Sequence, residues 1–282
     1  MTYLVAVSGG VDSVCLLHML VQKQASDPTL HLIVAHVEHG IRPDSADDER
    51  FVAALARSYR LPYVSVSLGL GVRASEEQAR NARYEFLFKQ AAIYAATVVT
   101  AHHADDMIET VALNLSRGTG WRGLAVLSRP EVFRPLLSLP KSTLYTYAMS
   151  NRLEYTEDST NHSDAYLRNR IRRRLATIQP LHKQIAILRA RQLQLMKEID
   201  RESRRIAVLQ QGSRHFLMQV DEVTGVELLG MMLYIATMKR PIRPQVRRAL
   251  LAIKTAKPAS VYQVGNGISL RFSARKYTVT MI

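Results

Sequence analysis

The chain has 282 residues, 47% of them apolar, with one cysteine and a formal net charge of +14. That length suits two domains and a sizeable core, a lone cysteine excludes an intrachain disulfide or a C-x-x-C pair, and no apolar run is long enough to span a membrane. With no basic, signal-like flank at the N-terminus, a cytoplasmic protein is expected. The charge is uneven: residues 1–160 carry 15 Lys and Arg against 17 Asp and Glu, whereas 161–282 carry 23 against 7. An excess of that size in the second half calls for a polyanionic partner. Nucleic acid ranks before an anionic membrane surface, because no basic amphipathic helix with exposed aromatics stands out.

The first predicted strand, 2–7, runs into Ser8-Gly9-Gly10-Val11-Asp12-Ser13 and then into a helical pattern over about 11–24. Two glycines let backbone N–H groups turn inward on an anion, the hydroxyls of Ser8 and Ser13 add donors, and the helix start points its positive end at the same spot. An acid in such a loop repels phosphate unless a divalent cation stands between them, so Asp12 implies Mg²⁺. The G-x-x-x-x-G-K-[ST] loop would place a lysine on the terminal phosphates, but the first lysine is Lys23, which disfavours kinase or GTPase chemistry. A Gly-Gly turn with an Asp-Ser helix cap is the bland alternative, and the position between strand and helix weighs against it.

Further apolar strands at 30–36, 62–68 and 97–102 alternate with helical patterns at 44–59, 75–95 and 104–117, that at 75–95 opening on the capping box Ser75-Glu76-Glu77-Gln78. The fold class is therefore α/β: a doubly wound parallel sheet covered on both faces, which binds ligands at the carboxyl ends of its strands. At the end of the second strand lies His36-Val37-Glu38-His39-Gly40-Ile41-Arg42, which either reads an adenine or is a strand end with two solvent-facing histidines. After the fourth comes His102-His103-Ala104-Asp105-Asp106-Met107-Ile108-Glu109-Thr110, where Asp106 and Glu109 share a helix face and can converge on one cation or ammonium group. Zinc is the poorer reading of that cluster, and complementing the helix dipole would explain one acid but not three.

Beyond the sheet domain, taken as 1–165, a basic segment (Arg168 to Arg174) and a connector helix from about Ile185 to Val208 fill 166–209. A smaller α+β domain, 210–282, has a helical middle and closes on a hairpin around Gly265-Asn266-Gly267. Arg243 and Arg247, four apart after Pro241 and beside Pro244, share a helix face next to Arg248.

The loop S-G-G-V-D-S resembles that of the N-type ATP pyrophosphatases, the PP-loop enzymes with an adenine nucleotide alpha-hydrolase-like fold. Taken in order with A-H-V-E-H-G-I-R, Glu77 to Tyr84, T-A-H-H-A-D-D-M-I-E-T, Arg134-Pro135-Leu136-Leu137, and Glu157-Asp158-Ser159-Thr160-Asn161 leading to Arg168 to Arg172, it resembles the tRNA(Ile)-lysidine synthases over residues 1–175. Past Ile185 the likeness is loose, and the extra domain of longer members is expected to be absent.

The resemblance implies a ligase that forms a carbon–nitrogen bond. It would adenylate the wobble cytidine of the minor isoleucine tRNA, which has a CAU anticodon, and join L-lysine to it, giving lysidine, AMP and pyrophosphate. ATP would be bound by Ser8, Gly9, Gly10, Val11, Asp12, Ser13, His36 and His39, with Mg²⁺ on Asp12. Asp106 and Glu109 would hold lysine. Catalysis would fall to Asp12, Asp106, Glu109, Arg83 and Arg168, with Arg80 a further candidate for stabilising phosphate charge. Arg172, Arg173, Arg174, Arg243, Arg247 and Arg248 would contact tRNA. A homodimer is compatible with the sequence and not fixed by it. The competing classes are a sulfur-inserting tRNA enzyme, disfavoured by the single cysteine; an NAD or GMP synthetase, disfavoured by the basic second half; and a non-catalytic RNA-binding protein, which would not need Asp12 or Asp106.

Overall fold

In the computed structural model, residues 1–38, 45–71, 75–156, 170–171 and 181–281 are described. They fall into two compact units, Met1–Gln192 and Leu193–Ile282.

The first unit is built from β1 (Thr2–Ala6), α1 (Val11–Ser26), β2 (His31–Glu38), α2 (Ser45–Ser58), β3 (Tyr63–Ser67), α3 (Glu76–Ile93), β4 (Thr97–Val99), α4 (Ala104–Ser116), β5 (Val132–Phe133) and α5 (Lys141–Ser150). The strands form one sheet in the order β3-β2-β1-β4-β5. Every pair in it is parallel. The strands read as continuous apolar runs because successive side chains go to opposite faces and both faces are covered. Val5, Leu32, Val34 and Val99 pack with Leu16 and Leu17 of α1, Val52 and Ala56 of α2, and Leu144 of α5. Their neighbours Leu4, Ile33, Ala35 and Val98 pack with Tyr84 and Leu87 of α3. Leu4 and Leu17 are wholly buried, so truncating either to Ala costs about 2–5 kcal/mol.

The chain winds outward from β1 to β3 and then returns to β4 on the other side of β1. The order reverses between β1 and β4, and in an open α/β sheet the ligand crevice lies at that reversal, outside the carboxyl ends of the strands. Two of the three chemical motifs follow these two strands.

Two elements of this unit escape the periodicity: β5 and α5. A strand of two residues carries no alternation, and α5 (KSTLYTYAMS) buries only Leu144 and Ala148, so it has no apolar stripe to read.

α6 (His182–Leu209) crosses the division between the units. The second unit continues with α7 (Arg214–Gln219), α8 (Glu222–Thr237), α9 (Arg243–Thr255) and an antiparallel sheet of β6 (Val261–Gly265), β7 (Ile268–Phe272) and β8 (Tyr277–Met281). The hairpin lies where the Gly-Asn-Gly signal puts it: Asn266 and Gly267 have φ of 55° and 73°, the paired positive values of a tight primed turn. β8 is an addition to the expected hairpin. Close packing of α8 on α9 needs Gly225, where a Cβ would come within 2.8 Å of Leu250. Arg214, 6% exposed, donates from Nε to the carbonyl of Ile253 (2.6 Å), from Nη1 to Ser273 (3.1 Å), and from Nη2 to Ala256, tying the end of α9 to the sheet. Among the described residues no helix is long and apolar enough to cross a membrane.

Candidate active site

Gly9 is required twice over. Its φ is +95°, and a Cβ there would lie 2.7 Å from Thr156 Oγ1, while its carbonyl accepts from the Thr156 amide at 3.0 Å. Ser13, 5% exposed, staples the loop: its hydroxyl donates to the Gly10 carbonyl (2.9 Å) and accepts from the Ser8 amide (3.2 Å). The Ser8 hydroxyl lies 3.3 Å from that of Ser13 on an exposed residue, and Val11 is buried at the first turn of α1. The loop thus presents Ser8, Gly9 and Gly10 at the positive end of a 16-residue helix.

Asp12 stands beside two cations supplied by distant segments. Its Oδ2 lies 3.4 Å from His103 Nε2 and 3.6 Å from Lys141 Nζ. Burial alone would raise its carboxyl, but His103 and Lys141 outweigh that and hold it below the ordinary value. The acid of the loop is therefore neutralised partly by the protein, which the sequence did not reveal. Its Oδ1 is buried without a hydrogen-bond partner among the described residues. A buried, unsatisfied carboxylate oxygen beside a phosphate loop fits a hard divalent cation such as Mg²⁺. No group of three or more His, Cys, Asp or Glu among the described residues forms a ready metal cage.

His103 is the hub of the site. It caps α4, donating its amide to Asp106 Oδ2 at 3.1 Å, and its side chain is 2% exposed. Nε2 is 3.4 Å from both Asp12 Oδ2 and Asp106 Oδ2, and Nδ1 is 3.5 Å from Asp105 Oδ2. Burial opposes the charged ring, yet the three acids raise its pKa from 6.5 to about 9. An imidazolium has no lone pair on Nδ1, so the approach of the Asp106 amide to that nitrogen (3.4 Å) is a contact, and the Nδ1–H is directed to the Asp105 carboxylate, which accepts it. Asp105 in turn accepts from the Lys141 amide (2.7 Å) and meets His182 Nε2 (3.1 Å), and its carboxyl is held far below the ordinary range, chiefly by His103. One carboxylate thereby links the starts of α4, α5 and α6.

His36, 3% exposed at the carboxyl end of β2, donates Nδ1–H to the Val7 carbonyl (2.8 Å), which leaves Nε2 as a buried acceptor without a partner among the described residues. The solvent-facing alternative for this histidine is excluded. His39, Arg168, Arg172, Arg173 and Arg174 lie outside the described residues. Glu109 is 3% exposed and the Asp106 side chain 16%, so of the pair only Asp106 reaches the crevice surface appreciably. Arg80 and Arg83 sit over the Tyr84 ring, 5.2 and 5.5 Å from its centroid. In the second unit, Arg243 pairs with Glu227 at 2.8 Å and Arg247 with Glu222, whereas Arg248 is exposed beside them. Two of these three expected RNA contacts are already neutralised by α8. Lys141 and His182 gave no signal; His103 and Asp105 lie in the cluster from His102 to Thr110 that the sequence singles out, without a role of their own there.

Residues 1–178 match the family described as a PP-loop domain. A tRNA(Ile)-lysidine synthase of Enterococcus faecalis is 41% identical over 192 residues, covering 65% of this chain and 41% of that protein. Another, of Dehalococcoides mccartyi, is 33% identical over 275 residues, covering 88% of this chain and 56% of its own length. The chain spans about half the length of these relatives. Among solved structures, a U34-tRNA thiolase of Methanococcus maripaludis shares the fold with a TM-score of 0.58 at 17% identity, over 70% of this chain and 73% of that one. A phosphate loop after β1, an acid-rich helix start after β4, and a parallel sheet reversing between them agree with that family match: the chain belongs to the PP-loop domain family.

Proposed function

We propose that the protein is an ATP-dependent ligase that joins L-lysine to the wobble cytidine of a tRNA(Ile) with a CAU anticodon, through an adenylated cytidine. The observation that carries the reading is the pairing of a loop built to receive phosphates with two carboxylates, Asp12 and Asp106, held by one buried imidazolium at the sheet's reversal point. The extended likeness to the lysidine synthases, named for this reaction, supports it.

In this reading the amides of Gly9 and Gly10 and the Ser8 hydroxyl cradle the phosphates, Val11 and Ser13 fix the loop, and His36 Nε2 accepts from the adenine amine. Asp12 Oδ1 would hold Mg²⁺, which neutralises charge on the departing pyrophosphate. Arg83, with Arg80 and Arg168, offsets the charge that develops as the cytidine oxygen attacks the α-phosphate. Asp106, with Glu109 behind it, binds an ammonium group of lysine, and the ε-amine, once it has lost its proton, displaces AMP from the activated carbon. Arg172, Arg173, Arg174, Arg243, Arg247 and Arg248 serve the tRNA, and domains at 1–165, 166–209 and 210–282 divide these tasks. The chain's sole cysteine, Cys15, is buried with its thiol pushed up to about 11 by burial and by Asp12, which disfavours sulfur transfer.

The test is to incubate the protein with labelled lysine, ATP and a tRNA transcript bearing CAU. Label should enter the RNA only when ATP is present, and Asp12→Ala should abolish pyrophosphate release while leaving the circular dichroism spectrum unchanged. Failure of wild-type protein to label that transcript, with ATP turnover intact, would reject lysine or this tRNA as substrate.

A further inference from the structure

Arg134 in the first unit is half-buried, and part of its guanidinium is buried without a satisfactory hydrogen bond. Arg134 follows β5 and turns back, donating Nη1 to the carbonyls of Arg129 (3.2 Å) and Val132 (3.0 Å). Its Nε and Nη2 are buried with no hydrogen-bond partner among the described residues, and so is the hydroxyl of Tyr84, itself 2% exposed. Above the Tyr84 ring stand Arg129, Arg80 and Arg83, at 4.7, 5.2 and 5.5 Å from its centroid.

A purely structural role explains only part of this. Arg214 in the second unit shows what a structural buried arginine looks like: Nε, Nη1 and Nη2 each donate to a carbonyl. Arg134 satisfies one corner of its fork, and its other edge, Nε with Nη2, is met by the Tyr84 hydroxyl alone, without a well-formed hydrogen bond. That edge is the pair of parallel donors that a phosphoryl group accepts bidentately. Repulsion within the cluster points the same way. Burial lowers the pKa of Arg134, Tyr84 partly restores it, and Arg80 and Arg129 lower it again. Arg189, which donates to the carbonyls of Val126 (2.7 Å) and Leu127 (3.1 Å), is likewise lowered by burial and by Arg134. Gathering cations on one tyrosine is costly unless an anion joins them.

We propose that Arg134 and Arg129 form, beside Tyr84, an anion site made of no glycine-loop residue, which receives a phosphoryl group through the Nε–Nη2 edge of Arg134. The phosphoryl belongs either to a polyphosphate or to an RNA strand, and only this choice of owner rests on the proposed function. Arg129 is exposed, so its substitution leaves the core untouched, and Arg134→Lys keeps the charge while losing the fork.

Binding of inorganic pyrophosphate and of a short single-stranded RNA should be titrated, with EDTA present, on wild type, Arg129→Gln and Arg134→Lys. Both arginine variants should lose about tenfold in affinity for at least one probe, with unchanged melting temperature for Arg129→Gln. Loss confined to pyrophosphate assigns the phosphoryl to a polyphosphate; loss confined to the oligonucleotide assigns it to the strand. Unchanged affinity of both arginine variants for both probes would overturn the site. Because no ATP turnover or lysine is involved, a protein that fails to label tRNA can still pass this test, and the reverse holds equally.

Discussion

Replacing His103 with Gln should destabilise the protein by an amount that depends on pH. The ring is 2% exposed, and its pKa in the folded protein is about 9 against 6.5 in an ordinary environment. A raised folded-state pKa means that the folded protein binds the proton more tightly than the unfolded chain. The stabilisation is therefore full below pH 6.5 and is lost as pH rises through about 9. At about 1.36 kcal/mol for each tenfold gain in proton affinity, the contribution is about 3 kcal/mol in mild acid. The depressed Asp12 and Asp105 express the same contacts from the other side and are not added to it. The helix cap is unaffected, because it is the backbone amide of residue 103 that donates to Asp106. Urea denaturation of wild type and His103→Gln, with EDTA present, should show a gap of about 3 kcal/mol at about pH 6 that shrinks toward zero by about pH 10. A gap that stays constant across that range would mean that His103 is neutral in the folded protein and that its neighbours act only by packing.

Gly9→Ala meets both a φ of +95° and Thr156 Oγ1 at 2.7 Å; it should cost about 1–2 kcal/mol of backbone strain and weaken ATP binding at least tenfold, read by melting and by nucleotide titration. Glu109→Gln should raise the KM for lysine far more than that for ATP, and an equal rise in both would reassign Glu109, 3% exposed, to the fold. Changing Arg243, Arg247 and Arg248 together to Gln should flatten the salt dependence of tRNA binding by less than three phosphates' worth, at about 0.7–0.9 in log-log slope per phosphate, because Glu227 and Glu222 already pair with two of them. A full loss of three would show that RNA displaces both pairs.

What the sequence could convey was whatever is local. Strands β1 to β4 are apolar runs between amphipathic helices, and the loop from Ser8 to Ser13 is contiguous, so period and glycine placement locate both. Asp12 looked like an acid that needed a metal because its two protein cations come from residues 103 and 141, which meet it only when β4 lies beside β1. Lys141 is the clearest case. The loop lacks a lysine in sequence but gains one in space, 3.6 Å from Asp12, from a helix whose pattern carries no amphipathic signal. The same limit applies to Arg243 and Arg247, whose helical spacing is local but whose partners Glu227 and Glu222 come from α8.

The carboxylates proposed for the two halves of the reaction are not independent. Asp12 and Asp106 both lie 3.4 Å from the same nitrogen of His103, one at the start of the helix after β1 and the other at the start of the helix after β4. A proton shared between two acids is held most tightly when both are ionised and neither is satisfied elsewhere. In the proposed reaction, a cation arriving at Asp12 Oδ1 would draw charge from that oxygen pair and leave His103 leaning on Asp106, while an ammonium group arriving at Asp106 would do the reverse. The two proposed binding events would thus be coupled through one buried ring, with Asp105 against its other nitrogen and joined to the backbone of Lys141. Such coupling would make occupancy at one site felt at the other without any movement of the chain, because the sheet holds both helix starts in place and only the division of one positive charge would change.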